Sequence, residues 1–157
     1  NNFSCKGFDL SVFFQWSYGN DILNANRLVF EGNGKGTPSV NQYASYVNHW
    51  SPANPSNTLH RPNGQGPGYY SSRVIEDGSY LRLKTVSLAY TVPAQFMRRY
   101  KMKSLRLYVT AQNLYTWTKY TGRDPEVSTR NSTLTPGFDW AAYPMARTIV
   151  FGLNLSL

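Results

Sequence analysis

Apolar and polar residues alternate along four stretches of this chain, and the last of them runs to the final residue. In Arg147–Leu157, Ile149, Phe151, Leu153, Leu155 and Leu157 are bulky and apolar, while Val150, Gly152, Asn154 and Ser156 are modest, small or polar. A period of two means a strand with one greasy face and one wetter face. Soluble domains usually fray into polar tails, whereas this alternation persists to Leu157. A tilted membrane-crossing strand needs about 9–11 residues, so the stretch reads as the closing strand of a membrane barrel.

The first stretch sets Phe8, Leu10, Val12, Phe14, Trp16 and Tyr18 against Asp9, Ser11, Phe13, Gln15 and Ser17. The second, starting near Ser79 and reaching Thr91, opens with Leu81 and Leu83 apolar and continues with Val86, Leu88 and Tyr90. Its phase therefore slips by one residue near Thr85. Either a β-bulge re-aims the strand there, or the outer end lies beyond the lipid. The third places Leu105, Leu107, Val109, Ala111, Tyr115 and Trp117 on one face, interrupted by Asn113, with Arg106, Tyr108, Thr110 and Gln112 opposite.

The connections alternate in length. Gly19–Gly78 is long and reads as irregular, Val92–Lys103 is short, and Thr118–Ala146 is long again. In outer-membrane barrels short turns face the periplasm and long loops face outside. The fold expected is thus all-β: about four antiparallel strands of a transmembrane barrel wall with two long extracellular loops. Ten residues of tilted strand climb about 23 Å, which puts Arg147 at the outer edge of a lipid band about 25 Å tall, where a charge costs little. Trp16, Tyr18, Tyr115 and Trp117 fall at the same outer level and are expected to form an interfacial aromatic girdle. Arg82, Lys84 and Arg106 should point inward, because a cation facing mid-bilayer lipid costs about 2–4 kcal/mol.

Composition sharpens the class. Aromatic residues make up 15% of the chain and charged residues only another 15%, which suits a surface meeting a lipid interface. No apolar run approaches the roughly 18 residues of a spanning helix. The net charge of +8 raises nucleic acid as a partner, but the cations are spread out, apart from Arg98, Arg99, Lys101 and Lys103, so none is expected. That cluster, with Phe96 and Tyr100 at i,i+4, reads as one or two helical turns with solvated basic side chains; a patch for lipid headgroups is the less favoured reading. Cys5 is alone, which leaves no disulfide framework and no cysteine metal site. The chain starts with Asn1 and shows no signal-peptide pattern, so a longer protein with its targeting signal upstream is expected.

Candidate chemistry is thin, and no catalytic or metal-binding residue and no cofactor is assigned. Asp124 and Glu126 could suggest a glycosidase pair, but Gly122, Asp124 and Pro125 are turn chemistry. Gly32–Thr37 (GNGKGT) lacks the ending of a phosphate-binding loop. His49 and His60 have no ligand spacing, and Asn131-Ser132-Thr133 matches a glycosylation acceptor, which would mean nothing if the barrel is bacterial. Trp50, Tyr69, Tyr70, Trp140 and Tyr143 sit in the long loops, where they could stack on sugar rings or pack against other loops or a partner protein; no substrate-binding residue is assigned.

Three motifs carry a family resemblance: EDGSYLRLKTVSLAYTVP (Glu76–Pro93), LRLYVTAQNLYTWTKYTGRDPEVS (Leu105–Ser128) and YPMARTIVFGLNLSL (Tyr143–Leu157). With Asp9–Arg27 and Asn48–Arg61, they resemble the C-terminal end of the SusC/RagA-type TonB-dependent outer-membrane transporters of Bacteroidetes. The resemblance covers nearly the whole chain. It departs at Leu157, where the family prefers a terminal aromatic, while Gly152, Leu155 and Leu157 still fit the C-terminal signal read by the barrel-assembly machinery. The resemblance implies a barrel of about 22 strands around an N-terminal plug, with plug and TonB box absent here. It further implies outer-membrane import of oligosaccharides or peptides, with TonB and a SusD-like lipoprotein as partners and no enzymatic activity. The rival reading is a soluble carbohydrate-binding β-sandwich, which also uses alternating strands and exposed aromatics. A glycosidase stands third. Taken alone, four strands with two open edges should not be stable in lipid.

Overall fold

The computed structural model describes residues 1–31, 41–61, 71–127 and 136–157. The GNGKGT segment, Tyr69, Tyr70 and the Asn131–Thr133 acceptor lie outside these residues. In chain order the elements are β1 (Asn2–Cys5), β2 (Phe8–Ser17), β3 (Asp21–Asn24), α1 (Asn26–Phe30), β4 (Ile75–Asp77) and β5 (Tyr80–Thr91). There follow α2 (Ala94–Arg99), β6 (Ser104–Thr118), β7 (Phe138–Asp139) and β8 (Thr148–Ser156), with short 3-10 turns at Ala44–Asn48 and Ser72–Val74.

The chain divides into two compact units. The first holds a five-stranded antiparallel sheet in the order β1-β2-β5-β6-β8. The four expected strands are all present, and β1 adds a short fifth. It joins β2 through Lys6 and Gly7, both at positive φ (46° and 88°), the conformation that a two-residue hairpin requires. Pairing of Ser17 with Tyr80 and of Tyr80 with Thr118 shows that both long connections leave the sheet at one end. The short turns occupy the other end.

The phase slip near Thr85 is a bulge. Phe13 pairs with Thr85 and Phe14 with Leu83, so Lys84 has no counterpart on β2. Across the next ladder Thr85 pairs with Gln112 and Leu83 with Tyr115, so Asn113 and Leu114 together face Lys84. One step on β2 thus answers to two on β5 and three on β6. Asn113 takes the left-handed conformation (φ 52°), which asparagine tolerates better than most residues. The bulges keep the apolar residues in phase: Leu10, Leu88, Val109 and Phe151 form one cross-strand row, and Trp16, Leu81 and Trp117 another. The opposite face carries Ser11, Ser87, Thr110 and Val150 in one row and Gln15, Arg82 and Thr116 in another.

The second unit is Gly19–Gly78 with Lys119–Pro144. Here the irregular reading of Gly19–Gly78 is corrected, because that connection and the second long one share a small folded unit. Its three-stranded sheet runs in the order β4-β3-β7, with β3 antiparallel to β4 and parallel to β7. Ile22, Tyr120 and Val127 are buried together, with Ala142 packed against them. The strands are too short for their periodicity to stand out in a sequence, which is why the segments read as irregular. In α2 the side chain that buries is Met97, while Phe96 and Tyr100 stay exposed.

Gly152 lies opposite Tyr108 in the β6–β8 ladder. A Cβ at 152 would fall 2.6 Å from Cε1 of Tyr108, so the glycine makes room for the ring. We expect Gly152→Val to destabilise the folded protein by about 1–3 kcal/mol through overpacking, and Tyr108→Ala added to it to restore most of the loss. Urea unfolding midpoints check this; a Gly152→Val loss unrelieved by the second change would show that Tyr108 is not the obstacle.

Candidate functional site

The first unit has the inverse of an ordinary core. Its buried side chains include Arg82, Ala89 and Met97, and Arg82 is only 2% exposed. Its apolar face, by contrast, is open: Trp16, Phe151 and Leu153 are 71%, 79% and 63% exposed. A sheet in water covers such a face; a sheet in hydrocarbon presents it.

The polar face is tied together by side chains from several strands. Lys84 Nζ donates to Gln15 Oε1 at 2.6 Å, and Gln15 Nε2 donates to the Tyr80 hydroxyl at 3.0 Å. Arg82 places its guanidinium 5.6 Å from the Tyr80 ring centre, within cation–π range. Arg106 pairs with Asp9 at 3.0 Å, and the hydroxyls of Ser87 and Thr110 bond at 2.9 Å. Arg82, Lys84 and Arg106, expected on one face, are therefore all engaged with residues of that face.

The four aromatics expected at an interface lie towards the long-connection end. Trp16 and Trp117 share a row with Leu81, and Tyr115 stands one row nearer the middle, beside Leu83. Tyr18 follows directly after β2. Tyr115 and Trp117 meet edge to face with ring centres 4.8 Å apart, and all four rings are exposed. Arg147 precedes β8 by one residue and is exposed. Leu155 pairs with Leu105 on the apolar face, and Leu157 follows the last strand residue.

The second unit is held by charge. Arg27 Nε donates to Glu31 Oε2 at 2.7 Å and its Nη1 to Glu76 Oε1 at 3.2 Å. Arg73 reaches Glu31 Oε2 at 3.2 Å, and Ser45 donates to Glu31 Oε1 at 2.6 Å. Glu76 also accepts from Asn24 Nδ2 at 3.1 Å, from the Thr121 backbone N–H at 2.8 Å and from the Thr121 hydroxyl. Burial opposes the charge on both carboxylates. The Ser45 and Arg27 hydrogen bonds nevertheless hold Glu31 below its ordinary value, and those of Thr121, Asn24 and Arg27 do the same for Glu76. Burial, then the Asp139 carboxylate, pushes the Tyr120 hydroxyl far up, so it stays a donor, at 2.5 Å from Asp139 Oδ2. The sequence reading missed this network, although Arg27 and Glu31 stand at the i,i+4 spacing that signals a helix ion pair.

A cavity of about 620 Å³ opens in this unit, with Asn26, Phe30, Gln42, Tyr43, Arg123 and Asp139 among its walls. The rings of Phe30 and Tyr43 lie 5.2 Å apart. Amides, a guanidinium and a carboxylate beside aromatic rings suit a polar ligand with apolar faces. Trp50 and His60 border a smaller cavity of about 380 Å³, while Trp140 and Tyr143 are exposed. Asp124 Oδ1 accepts the Glu126 backbone N–H at 2.9 Å, which makes this pair a turn, as expected. His49 Nδ1 lies 2.9 Å from the Tyr46 carbonyl oxygen. No group of three potential metal ligands comes together among the described residues, and no helix among them is long and apolar enough to cross a membrane.

Comparison with known proteins places these features. No protein-family model matches the chain. It is 39% identical over 160 residues to the TonB-dependent receptor P3 of Formosa agariphila, covering 99% of this chain and 15% of that receptor. TonB-dependent receptor SusC of Bacteroides thetaiotaomicron is 36% identical over 94 residues, 59% of this chain and 9% of SusC. A solved structure of the RagAB peptide transporter superposes with a TM-score of 0.82 at 31% identity, covering 98% of this chain and 16% of the matched one. The chain thus spans about 15% of the length of its first relatives.

The carboxylates of the second unit make its stability depend on pH. Their folded pKa values are lowered, so they stabilise the fold above their unfolded pKa, and this contribution is lost as pH falls through the folded value. At neutral pH, Glu76→Gln should cost about 1–3 kcal/mol by leaving the buried Asn24 amide and the half-buried Arg27 guanidinium poorly satisfied, and protease cleavage within Gly19–Gly78 should accelerate. The difference from wild type should shrink once the medium is acid enough to protonate Glu76 itself. A gap that stays constant with pH would refute the electrostatic account.

Proposed function

This chain belongs to the TonB-dependent receptors of the SusC/RagA type, and from that premise we propose that it forms the C-terminal part of an outer-membrane barrel that imports nutrients. The observation that carries the reading is the inverted sheet, apolar and open on one face, polar and cross-linked on the other, with the buried Arg82 on its polar face. Lipid covers the first face, and the barrel interior receives the second. The plug and the TonB-contacting segment lie elsewhere in the longer protein. Energy passed from TonB moves the plug, and the substrate enters from a space closed by a SusD-like lipoprotein lid.

In this reading Trp16, Tyr18, Tyr115 and Trp117 seat the wall at the outer headgroup level. Gly152, Leu155 and Leu157 provide the signal for the barrel-assembly machinery, with Gly152 also clearing space for Tyr108. The folded second unit forms part of the outer vestibule, and its cavity offers amide, guanidinium, carboxylate and aromatic groups to the cargo. RagAB is named a peptide transporter, and the same groups serve sugar hydroxyls or peptide backbone, so the cargo is an oligosaccharide or a peptide. The chain works as wall and vestibule, without catalysis. A soluble sandwich would have to bury the face that Trp16, Phe151 and Leu153 leave open.

Adjacent residues of β6 test the assignment at equal depth. Val109 belongs to the apolar face and Thr110 to the polar one. In the full-length receptor, Val109→Lys should lower barrel stability by about 2–4 kcal/mol and deplete folded protein from the outer membrane. Thr110→Lys should leave its amount near wild type. The opposite ranking would mean that the faces are exchanged, and equal tolerance of both would argue against lipid contact.

A further inference from the structure

Charge is distributed very unevenly along the strands. Of the eight acidic residues, Asp21, Glu31, Glu76, Asp77, Asp124, Glu126 and Asp139 all fall in the second unit, and the eighth, Asp9, pairs with Arg106. The short-turn end of the sheet has no acidic residue in either turn. It carries Lys6 between β1 and β2, and Arg98, Arg99, Lys101 and Lys103 between β5 and β6. Among the described residues these five side chains take part in no ion pair.

The β5–β6 turn also exposes apolar surface beside these cations. Met97 is buried, whereas Phe96 and Tyr100 are each 64% exposed. The helix ends in a pair of hydrogen bonds, from Met102 N–H to the Met97 carbonyl and from Lys101 N–H to the Arg98 carbonyl, both 3.1 Å. That motif places Lys101 at φ 56°, where glycine is the usual occupant and a lysine is strained. Lys103 extends the β6 alternation one step past Leu105 on the apolar face. Its backbone N–H bonds the Ser156 carbonyl at 2.9 Å, next to Leu157. The apolar face therefore ends, at this rim, in a lysine.

We propose that this rim binds anionic phospholipid of the adjacent leaflet. Arg98, Arg99, Lys101, Lys103 and Lys6 engage lipid phosphates, and Phe96 and Tyr100 enter the headgroup layer. The physical basis is the geometry of the layer itself. Cationic side chains lay their stems along apolar surface and extend their heads to the interface, aromatic rings settle at headgroup level, and each cation near an anionic surface strengthens binding roughly fivefold. A solvated cap would satisfy the cations alone, but it would leave both rings in water. Lipid headgroups accommodate both.

The inference rests on the barrel reading, and the test separates the two. The full-length receptor is placed in nanodiscs of phosphatidylethanolamine with a minor share of phosphatidylglycerol, and the lipids it retains are measured by native mass spectrometry. The wild type should hold phosphatidylglycerol above its bulk share. The variant Arg98→Gln/Arg99→Gln/Lys101→Gln/Lys103→Gln should reduce that enrichment about tenfold or more, and Phe96→Ser/Tyr100→Ser should reduce it with every charge in place. If the fourfold variant does not insert, Arg98→Gln/Arg99→Gln takes its place, with a several-fold loss expected. Normal insertion with unchanged retention overturns the lipid site and leaves the barrel standing. Failure of the barrel reading shows instead in the ranking of Val109→Lys and Thr110→Lys.

Discussion

The structure of the first unit depends on one requirement: in hydrocarbon no water is available to pair a backbone N–H or C=O. Every strand that crosses must find its hydrogen bonds in its neighbours, and β2, β5, β6 and β8 do so in long antiparallel ladders. Side-chain pattern follows from that rather than leading it. Once the ladders are set, residues two apart share a face, and lipid selects which face is apolar. The irregularities lie towards the outer ends of the strands, between Phe13 and Phe14 on β2 and around Asn113 on β6. There an interrupted ladder can be met by water or by side chains, and Asn113 Nδ2 donates to the Ala146 carbonyl at 3.0 Å.

The two units solve the problem of burial in opposite ways. In the second, Ile22, Tyr120 and Val127 are hidden together and Ala142 packs against them, as in an ordinary core. Here buried carboxylates are kept ionised by several donors each, since an uncompensated charge would be expensive. In the first, apolar rings face outward and an arginine is the most buried side chain. Asp9, Gln15, Tyr80, Lys84 and Arg106 then serve as the polar cross-links of a face that has no hydrophobic core of its own.

The barrel strands were legible because their pattern is long and strictly alternating. Trp16, Leu107 and Phe151 announce their faces through neighbours two residues away, and the slip at Thr85 pointed to the bulge that Lys84 makes. The hairpin partner β1 was missed: Asn2–Cys5 is too short to show a period, although Lys6-Gly7 supplies turn chemistry. The second unit was unreadable for a different reason. Its sheet joins segments more than a hundred residues apart, as Leu23 does with Phe138, and no local spacing encodes such a meeting. Likewise Glu76 gave no hint of Arg27 or Thr121, because its partners are set by the meeting of distant segments.

The pairing of β3 with β4 on one side and β7 on the other has a consequence in time. Asp21–Asn24 can bond to Ile75–Asp77 as soon as that segment is present, but Phe138 and Asp139 come much later in the chain. Contacts of such long sequence separation form slowly, because the intervening chain must first give up its freedom. β5 and β6 lie between β4 and β7 in the chain, so the pairing of β3 with β7 closes a loop that contains both. The small sheet is therefore complete only once chain from both sides of β5 and β6 has been brought together.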